Sequence, residues 1–311
     1  MMGGNIRVEI VAPVHNRKEI TLLCLKSLEK IDRTGLDVGI VIVDDGSTDG
    51  TSDAIREQFP DVDVVQGTGD LWFTEATNVG VRRALERDPK YVLMMNDDQV
   101  FDAGFLLSMV ETAEKHPRSI VGSLLLLWDT PHKLFQVSPQ WNTWLGGWRH
   151  WYFQTIWTIP TKPWRVPLIV GNCVLFPAKA LRESGLMKSE RYPNFGDAEI
   201  TPRLKKEGWE LLIDPNARVF CMPNTPPPRV RSLGLRQKFN DLFVDLGKNQ
   251  NLRRRFYAYW DGAPSKLEGT AAFFVFLARI ALRRNTETEE WAFAQVEEPL
   301  SKTFAPAVIN D

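Results

Sequence analysis

The chain opens with an apolar run at residues 6–12. A polar turn follows, then residues 18–31, which place Ile20, Leu23, Cys24, Leu28 and Ile31 on one helical face. A second apolar run at 39–43, a weaker one at 62–66, a helical pattern at 74–87 and an uncharged run at 91–95 continue the alternation. Short apolar runs without polar interruptions read as strands buried on both faces. Strands alternating with helices predict an α/β fold, a mostly parallel sheet with helices on both sides. After residue 127 the alternation fails, and seven of the eleven tryptophans fall in 128–164. Periodicity returns with a strand expected at 166–176 and helices near 178–184 and 198–207. The run Met222-Pro223-Asn224-Thr225-Pro226-Pro227-Pro228 can continue neither element and marks a boundary. The pattern therefore predicts an α/β domain over 1–222 and a helical region over 229–311.

Two of these strands end in acid, one in Asp44-Asp45-Gly46-Ser47 and one in Asn96-Asp97-Asp98. Ligands of open α/β sheets bind beyond the carboxyl ends of the strands. Asp45 can accept a hydrogen bond from the ring N–H of a uracil, thymine or guanine base, and Asp97 from a ribose hydroxyl. Asp98 suits Mg²⁺ or Mn²⁺, which take hard oxygen ligands and often combine one or two carboxylates with substrate phosphates. Plain turns remain open for both segments, with Ser47, Thr48 or Asp49 capping one helix and Asp102 the next. A third acidic segment, Asn194-Phe195-Gly196-Asp197-Ala198-Glu199, precedes Arg203. A carboxylate there is stabilised by the helix N-terminus and can serve as a general base, and a plain N-cap looks the same. The turn Pro13-Val14-His15-Asn16-Arg17 lacks the glycines of a dinucleotide-binding fold, and no P-loop occurs.

Composition narrows the choice. With 38 basic and 39 acidic residues, the chain carries no general basic footprint for nucleic acid. Cys24, Cys173 and Cys221 are widely spaced, without a Cys-x-x-Cys pair, which fits a reducing compartment. No signal-peptide pattern and no bilayer-length apolar run is visible. Residues 271–282, closed by Arg283-Arg284, read as a buried helix or as one lying on a membrane surface. A cytoplasmic protein is expected, with peripheral contact at the inner face of the membrane and self-association both left open.

The motifs together resemble the family 2 glycosyltransferases, the inverting class with the GT-A fold, and within it the bacterial rhamnosyltransferase-like members. The resemblance runs from about Ile6 to Cys221, with a looser stretch at Arg255-Phe256-Tyr257. It rests on 12–17, 43–50, Gly69-Asp70-Leu71-Trp72-Phe73 with Asn78-Val79-Gly80, Asn96-Asp97-Asp98, and Gly171-Asn172 with Gly196-Asp197, all in family order. It implies that Pro13, His15, Arg17, Asp45, Trp72, Asn78, Asn96 and Asp97 hold the donor nucleotide, that Asp98 binds Mn²⁺ or Mg²⁺, and that Asp197 is the catalytic base. It also implies a nucleoside-diphosphate sugar as donor and a glycan or lipid-linked glycan as acceptor, in bacterial surface polysaccharide synthesis. The tryptophan-rich stretch falls where members vary and bind acceptors. Three departures stand out. Asn96 replaces an aspartate, Gly196 replaces the first of an acidic pair, and Cys221 stands where many members have a histidine metal ligand. Asn96 and Cys221 motivate a competing expectation, a non-catalytic nucleotide- or glycan-binding module. A sugar-1-phosphate nucleotidyltransferase would need a glycine-rich, basic loop after the first strand, and Pro13 to Arg17 is not one.

Overall fold

The computed structural model describes residues 5–136, 138–149, 154–222, 234–248 and 251–282. Four parallel strands, β1 (Ile6–Val14), β2 (Leu36–Asp44), β3 (Asp63–Gln66) and β4 (Tyr91–Met95), form one half of the sheet. They are joined by α1 (Lys18–Glu29), α2 (Thr51–Gln58) and α3 (Trp72–Leu85). After β4 the chain makes the short β5 (Gln99–Phe101), α4 (Phe105–Lys115) and β6 (Ser119–Leu127). A series of small strands follows: β7 (Leu134–Gln136), β8 (Gln140–Asn142), β9 (Gly147–Arg149) and β10 (Trp164–Arg165). Then come β11 (Cys173–Pro177), α5 (Ala178–Ser184), α6 (Asp197–Lys206) and β12 (Glu210–Cys221). The sheet runs β10-β12-β6-β11-β4-β1-β2-β3, with β11 antiparallel to both neighbours and β12 parallel to β6.

Alternation along β1 shows how the sheet is buried twice. Val8, Ile10 and Ala12 join a core with Leu25 and Leu28 of α1 and Leu106 and Met109 of α4, whereas Val11 belongs to a second core that includes Val81 of α3 and Ile200 of α6. Glu9 would be a costly guest on that second face. It is fully buried, but Arg87 reaches its carboxylate at 3.0 Å and Arg7 holds the other oxygen.

The strand expected over 166–176 is a correction. Only β10 and β11 are strands, and Val166, Leu168 and Ile169 between them are buried without a continuous ladder. The backbone there is satisfied from elsewhere: Val166 N–H donates to Leu211 O, and Thr201 Oγ1 of α6 donates to Ile169 O. Nor do Ser47 and Thr48 cap α2, whose N-cap is Gly50; Asp49 Oδ1 does accept the Thr51 N–H at 3.1 Å.

Within the tryptophan-rich stretch, Trp141 and Trp148 pack against the C-terminal helices, α8 (Leu252–Gly262) and α9 (Lys266–Ala281). Trp141 meets Trp148 edge-on at 5.2 Å and Tyr259 of α8 at 6.0 Å, and Tyr259 meets Phe273 and Phe276 of α9. Trp144 and Trp157 are exposed, at 80% and 74%. The apolar helix expected near 271–282 is α9, buried only along Gly269 and Ala272, with Leu267 and Phe274 exposed. Ahead of α8, α7 (Leu235–Phe239) runs into a π-helical turn, Asn240–Val244. The boundary at 223–228 and the C-terminal stretch from 283 lie outside the described residues. Among those described, no helix is long and apolar enough to cross a membrane.

Candidate active site

The carboxyl ends of β1, β2 and β4 lie side by side, since Val14 pairs with Asp44 and Val11 with Met94. This brings together the turn after β1, the Asp44-Asp45 turn and Asn96-Asp97-Asp98. The first two are laced to each other. Asn16, at φ 52°, donates its N–H to Ser47 Oγ and accepts the Thr48 N–H, and Asp49 Oδ2 accepts the Lys18 N–H. His15 Nε2 takes the Asn16 amide at 3.0 Å, which assigns the proton to Nδ1, 2.5 Å from Asp45 O. Pro13, half-buried, closes β1. His15 thus fastens two turns.

Asp45 is 94% buried, and its carboxylate is a hub. Oδ1 accepts the Gly69 N–H at 2.7 Å, while Oδ2 accepts those of Leu71 at 3.0 Å and Trp72 at 3.1 Å. Gly46 must be glycine for this arrangement: its φ is +73°, and an added Cβ would lie 2.7 Å from Gly69 Cα. Three of roughly four acceptor positions on Asp45 are occupied, leaving one. Trp72, half-exposed at φ 58°, stands at the start of α3 with its ring against Gly247.

Asp97 and Asp98 share one cation of the chain. Arg17 donates from Nη1 to Asp97 Oδ1 and from Nη2 to Asp98 Oδ2, both at 3.1 Å, and Thr21 Oγ1 donates to Asp97 Oδ2. Burial, with the charge of Asp98 adding to it, pushes the Asp97 carboxyl up to about 6 against the pull of Arg17 and Thr21.

Asp197 reaches the same edge through two residues. Its Oδ2 accepts the Gly171 N–H at 3.0 Å, and the next residue, Asn172, accepts the Asn96 N–H on its carbonyl at 3.0 Å. Gly171 allows this approach, because a Cβ would sit 2.0 Å from Asp197 Cβ. Burial pushes the Asp197 carboxyl up, opposed by the N–H groups of Gly171 and Ala198 and by the charge of Arg254. The helix start favours the ionised form, but burial outweighs it and shifts the carboxyl upward. A carboxylate shifted upward is a stronger base than a free one.

Two other expected site residues lie elsewhere in role. Asn78 is buried and spends its amide on Met187, donating to its carbonyl at 2.8 Å and accepting its N–H at 3.1 Å; it clasps the loop before α6. Cys221 lies in the core, where its sulfur accepts a weak bond from Gln99 Nε2 at 3.5 Å and burial raises its thiol far above the ordinary range. That disfavours the thiolate a metal would require. Arg203 fixes α6, bonding Glu199 at 2.6 Å and the Leu186 carbonyl at 2.8 Å. Arg254 was not anticipated at the site. It is buried on α8 with its guanidinium 4.1 Å from the Phe195 ring centre, and the basic run at 253–255 was its sole sequence signal.

Among the described residues, no group of three or more His, Cys, Asp and Glu is placed to hold a metal. The oxygens present still fit a hard cation held jointly with a diphosphate. Asp97 and Asp98 are adjacent carboxylates, and Asn96 Oδ1 beside them is buried without a hydrogen-bond partner.

An α/β sheet with acidic strand ends, and a buried carboxylate clamped to them, has the architecture of a GT-A glycosyltransferase. The chain belongs to glycosyl transferase family 2, whose model matches residues 9–185. It is 24% identical over 206 residues to the N-acetylglucosaminyl-diphospho-decaprenol L-rhamnosyltransferase of Mycobacterium tuberculosis, over 59% of this chain and 66% of the relative. It thus spans just under two thirds of that relative's length. Similar solved structures include GalNAc-T7 with UDP, GalNAc and Mn²⁺ (TM-score 0.60, 14% identity, 94% of this chain and 57% of that one). TarS 1-349 of S. aureus matches at 0.55 and 14%, covering 94% and 76%. The mannosyltransferase PcManGT from Pyrobaculum calidifontis, with GDP-Man and Mn²⁺, matches at 0.51 and 18%, covering 94% and 84%. At these identities the structures speak to the fold.

Proposed function

We propose that this protein is an inverting transferase that moves a sugar from a nucleoside-diphosphate sugar to a hydroxyl of a glycan or lipid-linked glycan, in the building of a bacterial surface polysaccharide at the cytoplasmic face of the membrane. The observation that carries the reading is the Gly171-Asn172 clamp, which ties Asp197 to the strand end bearing Asp97 and Asp98. A base held relative to a donor site is what a single displacement requires. The acceptor oxygen attacks the anomeric carbon while Asp197 takes its proton, and the bond to the diphosphate breaks on the opposite face, so configuration inverts. A divalent cation bound with the diphosphate supplies positive charge where the leaving group becomes negative. Asp98 would hold it, with Asn96 Oδ1 beside the same site, and Asp97 would accept from the donor's ribose.

On the donor side, the one unused acceptor position of Asp45 and the half-exposed ring of Trp72 are offered to the base. The exposed Trp144 and Trp157 give the acceptor aromatic faces on which a sugar can stack. The lipid-linked acceptor is supported by the name of the mycobacterial relative. The experiment is a screen of sugar nucleotides with Mn²⁺ or Mg²⁺ and a glycolipid acceptor, reading nucleoside diphosphate released and the anomeric configuration of the product. Release from one donor with inversion is expected. Release from none, or retention, contradicts the proposal.

A further inference from the structure

We infer that Arg17 occupies the cation's place in the resting protein and so makes cation and nucleotide bind as a pair. The inference rests on the transferase reading and deepens it. The guanidinium spans both carboxylates at the end of β4, one N–H to each, at 3.1 Å. A divalent cation on Asp98 claims an oxygen that this fork already holds, and it cannot sit beside that fixed positive charge without repulsion. Arg17 stays charged at any working pH.

Its backbone does not need the contact. Arg17 is the first residue of the α1 turn, and its carbonyl accepts both the N–H and the hydroxyl of Thr21, so the helix start is held whatever the side chain does. Thr21 also keeps Asp97 Oδ2 after the guanidinium leaves. The side chain is 40% exposed, against 6% for Asp97 and 16% for Asp98, so the pair opens from the Arg17 side.

A cation alone must therefore break the Arg17–Asp98 bond and leave a guanidinium without its partner. A cation arriving with a diphosphate gives that guanidinium a new anionic partner, which a planar fork binds well. The consequence is positive coupling between the two ligands, reciprocal by linkage. Release of a cation without nucleotide is equally favoured, because Arg17 returns to the carboxylates.

The test is Mn²⁺ binding to the full chain, followed by electron paramagnetic resonance of free Mn²⁺, alone and with saturating UDP, dTDP or GDP. In Arg17→Gln, Mn²⁺ alone should bind about five- to tenfold tighter, the scale of a partly exposed ion pair to two carboxylates. The tightening of Mn²⁺ by nucleotide seen in the wild type should shrink by a similar factor. Arg17→Lys, a point charge that cannot fork across both carboxylates, should fall between them and carries the test if the glutamine variant fails to fold. Unchanged or weaker Mn²⁺ binding in the variants, unchanged coupling, or no Mn²⁺ binding by the wild type under any condition overturns the inference. A wild type that binds Mn²⁺ and nucleotide as described, yet releases no nucleoside diphosphate from any sugar nucleotide, would overturn the transferase reading alone.

Discussion

Two regions of the molecule are made from opposite materials. The carboxyl edge of the sheet, at the ends of β1, β2 and β4, is carboxylate and backbone N–H: Asp45 gathers three amides, Asp97 and Asp98 share Arg17, and His15 and Asn16 fasten the turns. The region beside it, 138–149 with α8 and α9, is aromatic: Trp141, Trp148, Tyr259, Phe273 and Phe276 meet edge to face. Polar order of the first kind needs fixed directions and so sits on a rigid sheet. Apolar packing of the second kind needs volume and contact, which helices added later in the chain supply. The difference implies that damage to the first half removes chemistry, and damage to the second removes stability.

That division can be broken by substitution. Asp98→Ala should abolish metal-dependent nucleotide binding and lower turnover by about a thousandfold, the several kcal/mol that a cation contributes at a leaving group; calorimetry with Mn²⁺ and steady-state rates read both. Asp45→Ala sharpens the contrast, because it strips three backbone N–H groups of their partner. About 2–3 kcal/mol of stability should go in denaturant unfolding, and nucleotide affinity with it. If nucleotide binding survives, Asp45 is scaffold alone. Trp141→Ala should cost about 2 kcal/mol of stability, less than a fully buried aromatic would, and leave nucleotide affinity unchanged. Loss of nucleotide binding there would dissolve the division.

The smallest effect is one of pH. Asp97 titrates near 6 in the fold against 3.8 ordinarily, so between those values the folded state binds a proton that the unfolded chain does not. Stability from this group therefore rises as pH falls through 6 toward 4, and is lost as pH rises. Without metal or nucleotide, the wild type should gain about 1 kcal/mol on Asp97→Asn between pH 7 and pH 5, measured as the difference of their unfolding free energies.

The acidic edge of the sheet was largely legible in the sequence because its elements are local. The run Tyr91–Met95 is the observed β4, and the acids that follow it lie at the sheet's carboxyl edge. What could not be read depends on distant partners. Residues 166–172 look like a strand by hydropathy, but Thr201 and Leu211 satisfy part of their backbone, and no local pattern records that. Asn78 sits in a motif that resembles a donor contact, and its amide is consumed by Met187, 109 residues away. Arg254 was visible as charge in a basic run, whereas its position beside Phe195 and Asp197 depends on how α8 docks.

The central claim is that Asp197 moves the proton while the strand ends hold the donor. It is tested most directly by Asp197→Asn, assayed in parallel for Mn²⁺-dependent nucleoside diphosphate binding and for turnover with the donor and acceptor that the wild type uses. Binding within about twofold of wild type is expected, with turnover reduced by about 10²–10⁴, the usual contribution of a general base. Turnover at the wild-type rate, with binding intact, would contradict it.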